Sequence, residues 1–356
     1  MIRKKIHVFV CVFLLSLALL PAWNIYHNKS IENLYNTDVV QPLIGWLSYQ
    51  AGISIKPNQT YLGKDGWFFL GDVYMNGVDK KRRLSKQDKE KIQTAIHNSE
   101  LWERWFLSQG VKSYTIMLAP DKDSVYTEQL PDWVKNPATK PLDYFKQNSD
   151  ENIYVVLLDT LKQATQTYPF PLYFKTDSHW NQLGAWIGFK TLMLQLQQKH
   201  SHLIFNSHDF ENSLYRYGHK KGDLANFLHI ADYLDDYFVS SHHTLSNPPT
   251  VEVVDYDKRS TKGLESIHFA DSQINPILYK NPKALNQEKV LWIHDSFGSS
   301  VVPFMLEHFA EVVHIHITGA TTEKIMALVQ SFAPDFVITT VVERESRDRF
   351  YLEAPL

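Results

Sequence analysis

The chain has 356 residues, 44% hydrophobic and 21% charged, which is the composition of a globular protein with room for one large or two modest domains. The formal net charge is -3, which argues against nucleic acid as a partner. The only cysteine, Cys11, lies within an apolar N-terminal run, so the remaining chain has neither a disulfide nor a thiol nucleophile.

Arg3, Lys4 and Lys5 precede a run from Ile6 to Trp23 without a charged residue. Eighteen residues are just enough to span a bilayer. Leu20-Pro21-Ala22 lacks the small-x-small pattern of a cleavage site, which favours an uncleaved anchor. The positive-inside rule then places the chain beyond residue 24 outside the cytoplasm. In a bacterium this is a single-pass inner-membrane protein with its domain in the periplasm. Residues 25–60 read as a juxtamembrane segment of modest helical character.

Tyr61–Asp72 reads as a hairpin turning at Lys64-Asp65-Gly66. Ser85 and Asp88 suit a capping box, and Ile92, Ile96, Trp102 and Phe106 recur at helical spacing until Gly110. Val111–Leu118 and Ile153–Leu157 read as strands, with a helix over Asp159–Gln166. Leu172–Phe174 reads as a third strand, and Gln182–Gln198 as an amphipathic helix. Residues of about 201–288 show no clear period and are read as an irregular insertion or lid. Alternation then returns: strand Val290–Ile293, helix Ser299–Phe309, strand Val312–Ile317, helix Thr322–Phe332, strand Phe336–Val342. Apolar strands alternating with helices predict an α/β fold with a mainly parallel sheet flanked by helices. No boundary divides 61–356, which is read as a single domain.

Ligands of such sheets bind beyond the carboxyl ends of the strands. Polar clusters fall there: Asp121 and Lys122, Asp177 and His179, His294 to Ser296, and Glu343 with Arg344. Asp177-Ser178-His179 places a carboxylate and an imidazole two residues apart, on one face if the chain is extended. Asp177 would then orient His179, and His179 would take the proton of a Ser296 nucleophile at a strand-to-helix turn. Other readings of the same residues stay open: a helix lead-in with Asn181 as cap, a simple Asp-Ser cap, or a Zn or Mn site from Asp177, His179, His294 and Asp295. The preferred reading needs no metal and no cofactor. Nine tryptophans fit either carbohydrate contacts or an aromatic core.

YLGKDGWFFL, LAPDKDSVYTEQLPDW, YFKTDSHWNQLGAW, WIHDSFG and PDFVITTVVER, in this order, resemble the alginate O-acetyltransferase (AlgJ/AlgX-like) family of SGNH-hydrolase-like proteins. The resemblance covers nearly all of the chain beyond the N-terminal run. It implies an SGNH-like fold in which Asp177 and His179 precede the nucleophile Ser296. It also implies acetyl transfer to hydroxyls of an exported polysaccharide, alginate-like or another exopolysaccharide, with a multi-spanning membrane acyltransferase as donor partner. Lys122 and Tyr126 lie in a family-like block, Arg344 closes the last strand as a candidate for an acetyl carbonyl or an anionic sugar, and Trp180 would wall the His179 ring. His294 departs from the pattern, standing where SGNH proteins have glycine. An esterase or deacetylase using the same residues, and a non-catalytic polysaccharide-binding component of an envelope synthase, are the rival functions.

Overall fold

A computed structural model describes residues 2–28, 34–38, 40–74, 78, 84–134, 140–205, 210–242, 252–257, 260–262, 275–347 and 353–355. In chain order the helices are α1 (Ile2–Asn28), α2 (Gln41–Gln50), α3 (Lys86–Ser108), α4 (Lys122–Val125), α5 (Pro141–Asn148), α6 (Leu158–Thr167), α7 (Gln182–Lys199), α8 (Asp223–Phe227), α9 (Val302–His308) and α10 (Thr322–Phe332). Among the described residues no helix is long and apolar enough to cross a membrane. The anchor therefore remains an expectation from sequence.

β1 (Thr60–Leu62) and β2 (Phe68–Leu70) pair antiparallel as the predicted hairpin. Asp65 and Gly66 both take positive φ, 51° and 77°, as a tight hairpin turn requires. Among the described residues the central sheet has eight strands: β3 (Ser113–Ala119), β4 (Tyr154–Val156), β7 (Glu252–Asp255), β8 (Ser260–Lys262), β9 (Ile277–Lys280), β10 (Asn286–His294), β11 (Phe309–His316) and β12 (Phe336–Val342). Their order is β4-β3-β12-β10-β11-β9-β7-β8. The first five are mutually parallel, and β9, β7 and β8 extend the edge antiparallel. This is an α/β fold with a mostly parallel sheet flanked by helices.

Period-two alternation assigns the core. Val290 and Trp292 of β10, with Phe336 and Ile338 of β12, join the face covered by α7 and α9. Leu291, Ile293, Val337 and Val341 join the face covered by α3 and α10. Strands buried on both faces read as continuous apolar runs, which is why they are visible in the sequence.

Four expectations change. Leu172–Phe174 is not a sheet strand: it folds back on its own loop, through a Tyr173–Trp180 bridge and a 2.9 Å bond from Asn181 N–H to the Leu172 carbonyl. Helix α7 is not one-sided, because Leu183 through Phe189 are all buried. It lies under the sheet and is covered on its other side. The region 201–288, where described, is ordered structure: it supplies the antiparallel edge and a second hairpin, β5 (Leu214–Tyr217) with β6 (Phe238–Ser241). The helix predicted over Ser299–Phe309 begins instead as a 3-10 turn, Ser296–Ser300, and only α9 is α-helical.

The capping box at α3 is formed: Ser85 Oγ accepts from Asp88 N–H at 3.0 Å, and Asp88 Oδ2 accepts from Ser85 N–H at 3.1 Å. Ser85→Ala should lower unfolding stability by about 1 kcal/mol, read as a shifted urea midpoint with unchanged slope.

Candidate active site

Ser296 follows β10 directly and opens the 3-10 turn. Asp295 caps that turn through Oδ1, which accepts from Phe297 N–H at 2.9 Å, while Oδ2 accepts from Val342 N–H at 2.6 Å. One carboxylate thus ties the turn to the end of β12. Burial pushes the Asp295 carboxyl up to about 6, against the pull of the Val342 N–H, Arg344 and the Phe297 N–H. The Ser296 N–H stands at the first position of the turn, where helical geometry supplies no partner.

His179 reaches Ser296 from the loop after Phe174. Its Nε2 lies 2.8 Å from Ser296 Oγ, and its Nδ1 lies 2.7 Å from Asp177 Oδ1. Asp177 Oδ1 also accepts from the His179 backbone N–H at 3.0 Å, so Asp and His meet through a bend rather than an extended strand. Asp177 Oδ2 accepts from Lys220 Nζ at 2.9 Å and from Asp223 N–H at 3.1 Å. Burial raises the Asp177 carboxyl, but the His179 bond and charge, then Lys220, outweigh it and hold the group well below the usual carboxylate range.

The loop carrying this pair is fastened from two sides. Lys122, fully buried after β3, donates to the carbonyls of Phe174, Lys175 and Asp177 at 3.0, 2.9 and 2.7 Å. Asp236 accepts from Thr176 N–H and Oγ1, both at 2.8 Å. Gly222 lets α8 approach: a Cβ there would lie 2.1 Å from the Thr176 carbonyl oxygen.

A cleft of about 410 Å³ opens over Ser296 and His179. Phe174, Trp180, Tyr217 and Phe238 give it aromatic walls, with Lys220, Ser299 and Ser300 as polar groups. Of the residues expected at the site, Asp177, His179, Ser296 and Trp180 come together here. Trp180 is a wall, its indole N–H donating to the Phe297 carbonyl at 2.9 Å.

Lys122 and Tyr126 are not in the cleft. All three ammonium protons of Lys122 are used behind the loop, and the Tyr126 hydroxyl accepts from Leu172 N–H at 2.9 Å beneath it. Nor does Arg344 line the cleft: it pairs with Asp121 and lies over the Phe297 ring. Asp121 and Arg344 therefore join the ends of β3 and β12. Sequence reasoning missed Lys220 and Asp223, because they come from the aperiodic region. Gly222-Asp223, a glycine before a helix-starting acid, was the available signal.

The metal set considered from sequence is not assembled, since His294 and Asp295 turn into the protein. Asp177, His179 and Asp223 do offer ligand atoms within 4.8 Å of one another. Lys220 already sits on Asp177, however, and Ser178 N–H and Oγ occupy both Asp223 oxygens at 2.7 and 2.5 Å. That is a network for orienting an imidazole, and a cation would have to displace an ammonium to enter it.

His294 is buried beneath the Ser296 turn. Its Nδ1 is 2.8 Å from the Asp295 carbonyl oxygen, and its Nε2 is 2.8 Å from His314 Nδ1. Burial pulls His294 down to about 4 and His314 well below its ordinary value. Gly298 makes room for the ring, since a Cβ there would lie 2.5 Å from His294 Cγ.

Residues 61–261 match the family described as SGNH hydrolase-like domain, acetyltransferase AlgX. No curated protein matches the chain. Among solved structures, Bacillus cereus PatB1 with a sulfonyl adduct is similar at TM-score 0.61 and 18% identity, over 82% of this chain and 98% of that one. PatB1 without the adduct gives 0.60 and 17%, over 81% and 97%. A DHHW family protein from Eubacterium siraeum gives 0.53 and 15%, over 72% and 86%. At these identities the likeness is one of fold.

The buried imidazoles set an acid limit. Unfolded, His294 and His314 take up protons near 6.5; folded, His294 does so only near 4. At these two sites the unfolded state then binds more protons between these values, so the stability they contribute is complete above about 6.5 and is lost as pH falls toward 4, while the raised Asp295 carboxyl works in the opposite sense. Urea midpoints measured from pH 7 to 4.5 should decline, and His314→Phe should flatten that decline.

Proposed function

The chain belongs to the AlgX family of SGNH hydrolase-like acetyltransferase domains, and on that premise we propose that it transfers acetyl groups to hydroxyls of an exported polysaccharide through an acetyl-Ser296 intermediate. The observation that carries this reading is the continuous contact Ser296 Oγ–His179 Nε2, 2.8 Å, and His179 Nδ1–Asp177 Oδ1, 2.7 Å, at the floor of an open cleft.

In the first half-reaction Ser296 Oγ attacks the acetyl carbonyl as His179 Nε2 takes its proton. The tetrahedral oxyanion collapses, the donor oxygen leaves with the proton from His179, and Ser296 holds the acetyl ester. In the second, His179 takes the proton of a sugar hydroxyl, whose oxygen attacks that ester. Collapse returns the proton to Ser296 Oγ and releases the acetylated sugar. Asp177 keeps the Nδ1 proton in place and stabilises the imidazolium of each step. General-base help of this kind is worth roughly 10²–10⁴ in rate.

The aromatic walls favour a sugar acceptor over water alone, because pyranose rings present apolar C–H faces to accessible rings such as Tyr217 and Phe238. The N-terminal basic cluster and uncharged run support export with retention at the membrane. A multi-spanning acyltransferase partner would then bring acetyl to the same side.

Incubation with a chromogenic acetyl ester, with and without oligosaccharides, tests the proposal. Acetylated oligosaccharide is the expected product, and Ser296→Ala should cut turnover by at least roughly a thousandfold. Acetate release indifferent to every acceptor would mean a hydrolase. Turnover unchanged in Ser296→Ala would refute the nucleophile.

A further inference from the structure

A histidine stands at position 294, directly before Asp295-Ser296, and its ring fills a space that Gly298 leaves open. Its hydrogen bonds define its protonation. The Asp295 carbonyl oxygen can only accept, so His294 Nδ1 carries the proton. Nε2 of the neutral ring is then an acceptor, and His314 Nδ1 must donate to it. Ring contacts on both sides fix the rings: Trp292 lies tilted 4.3 Å from His294, and Tyr279 stacks 4.8 Å from His314, between centroids.

The Asp295 carbonyl also accepts from Gly298 N–H at 3.0 Å. That carbonyl and the Ser296 N–H belong to one planar trans peptide and point in opposite directions. Two donors on the carbonyl therefore hold the whole plane and polarise the N–H at its other edge.

We propose that His294 is a positioning residue for the oxyanion donor: with Gly298 N–H it pins the Asp295 carbonyl, so that the Ser296 N–H of the same peptide is held toward the reacting carbonyl. His314 acts one step further out, by selecting the His294 tautomer. This rests on Ser296 being the nucleophile. The alignment matters most after attack has begun, when negative charge has developed on the acetyl oxygen. Its loss should therefore appear in kcat and not in KM.

The test uses the full chain and the chromogenic acetyl ester. His294→Phe keeps a ring but removes the donor, and should lower kcat roughly tenfold to a hundredfold with KM within about twofold. His294→Asn restores an N–H near the Nδ1 position and should recover most of the loss. A His294→Phe kcat within about twofold of the parent, while Ser296→Ala is inactive, would overturn this inference and leave the proposed function standing. Full turnover in Ser296→Ala would bring down both. Should His294→Phe fail to fold, nitrogen-15 NMR of the unsubstituted protein at neutral pH decides: a His294 ring protonated at Nδ1 alone supports the assignment, and one protonated at Nε2 refutes it.

Discussion

The site depends on a buried ammonium. Lys122 leaves the end of β3 and spends its three protons on the carbonyls of Phe174, Lys175 and Asp177. The loop they belong to has no place in the sheet; the Lys175 carbonyl also accepts from Phe68 N–H at 2.9 Å, but those of Phe174 and Asp177 would otherwise be buried without donors, at a cost of roughly 1–3 kcal/mol each. Burial of the cation is tolerable for the same reason, since three oxygens replace its water. The interaction thus fixes the height of Asp177 and His179 above the sheet, and the 2.8 Å approach of His179 to Ser296 follows from it.

Around this fixed loop the strand ends are tied to one another by charge. Asp121 and Arg344 join β3 to β12, and Asp295 joins β10 to β12 through the Val342 N–H. Glu343 accepts from Ser124 Oγ at 2.7 Å and from Asp121 N–H at 3.2 Å. Each cluster at a strand end therefore holds a neighbouring strand end. The polar residues gather where the sequence reading placed them, but most position backbone and only a few face the cleft.

How much was legible in the chain follows from burial. β10 and β12, apolar on both faces, show as plain runs, and α10 matches its expected limits because Thr321 caps it and the helix closes before Asp335. Asp177, His179 and Ser296 stand out because their types and order carry chemistry, and the fold brings them to 2.7 and 2.8 Å of one another. Leu172–Phe174 was misread since a short apolar triplet has the same appearance in a strand and in a buried loop. Lys122 and Arg344 were read as substrate ligands because a charge beyond a strand looks alike whether it turns outward or inward. Lys220 and Asp223 were missed because long-range pairing to Asp177 leaves no local period. The buried use of His294 was equally hidden: it needs Gly298 four residues on and His314 on the next strand.

The order of strands has a consequence for how the protein matures. β12 and β10 occupy the middle of the sheet, between β3 and β11, yet they are among the last to be synthesised. Until they insert, β3 has only β4 beside it, and the loop bearing His179 has no serine to face. Assembly of the sheet centre is thus a late, long-range event of the slow kind. The 2.8 Å contact between Ser296 and His179 is therefore among the last parts of the structure to form.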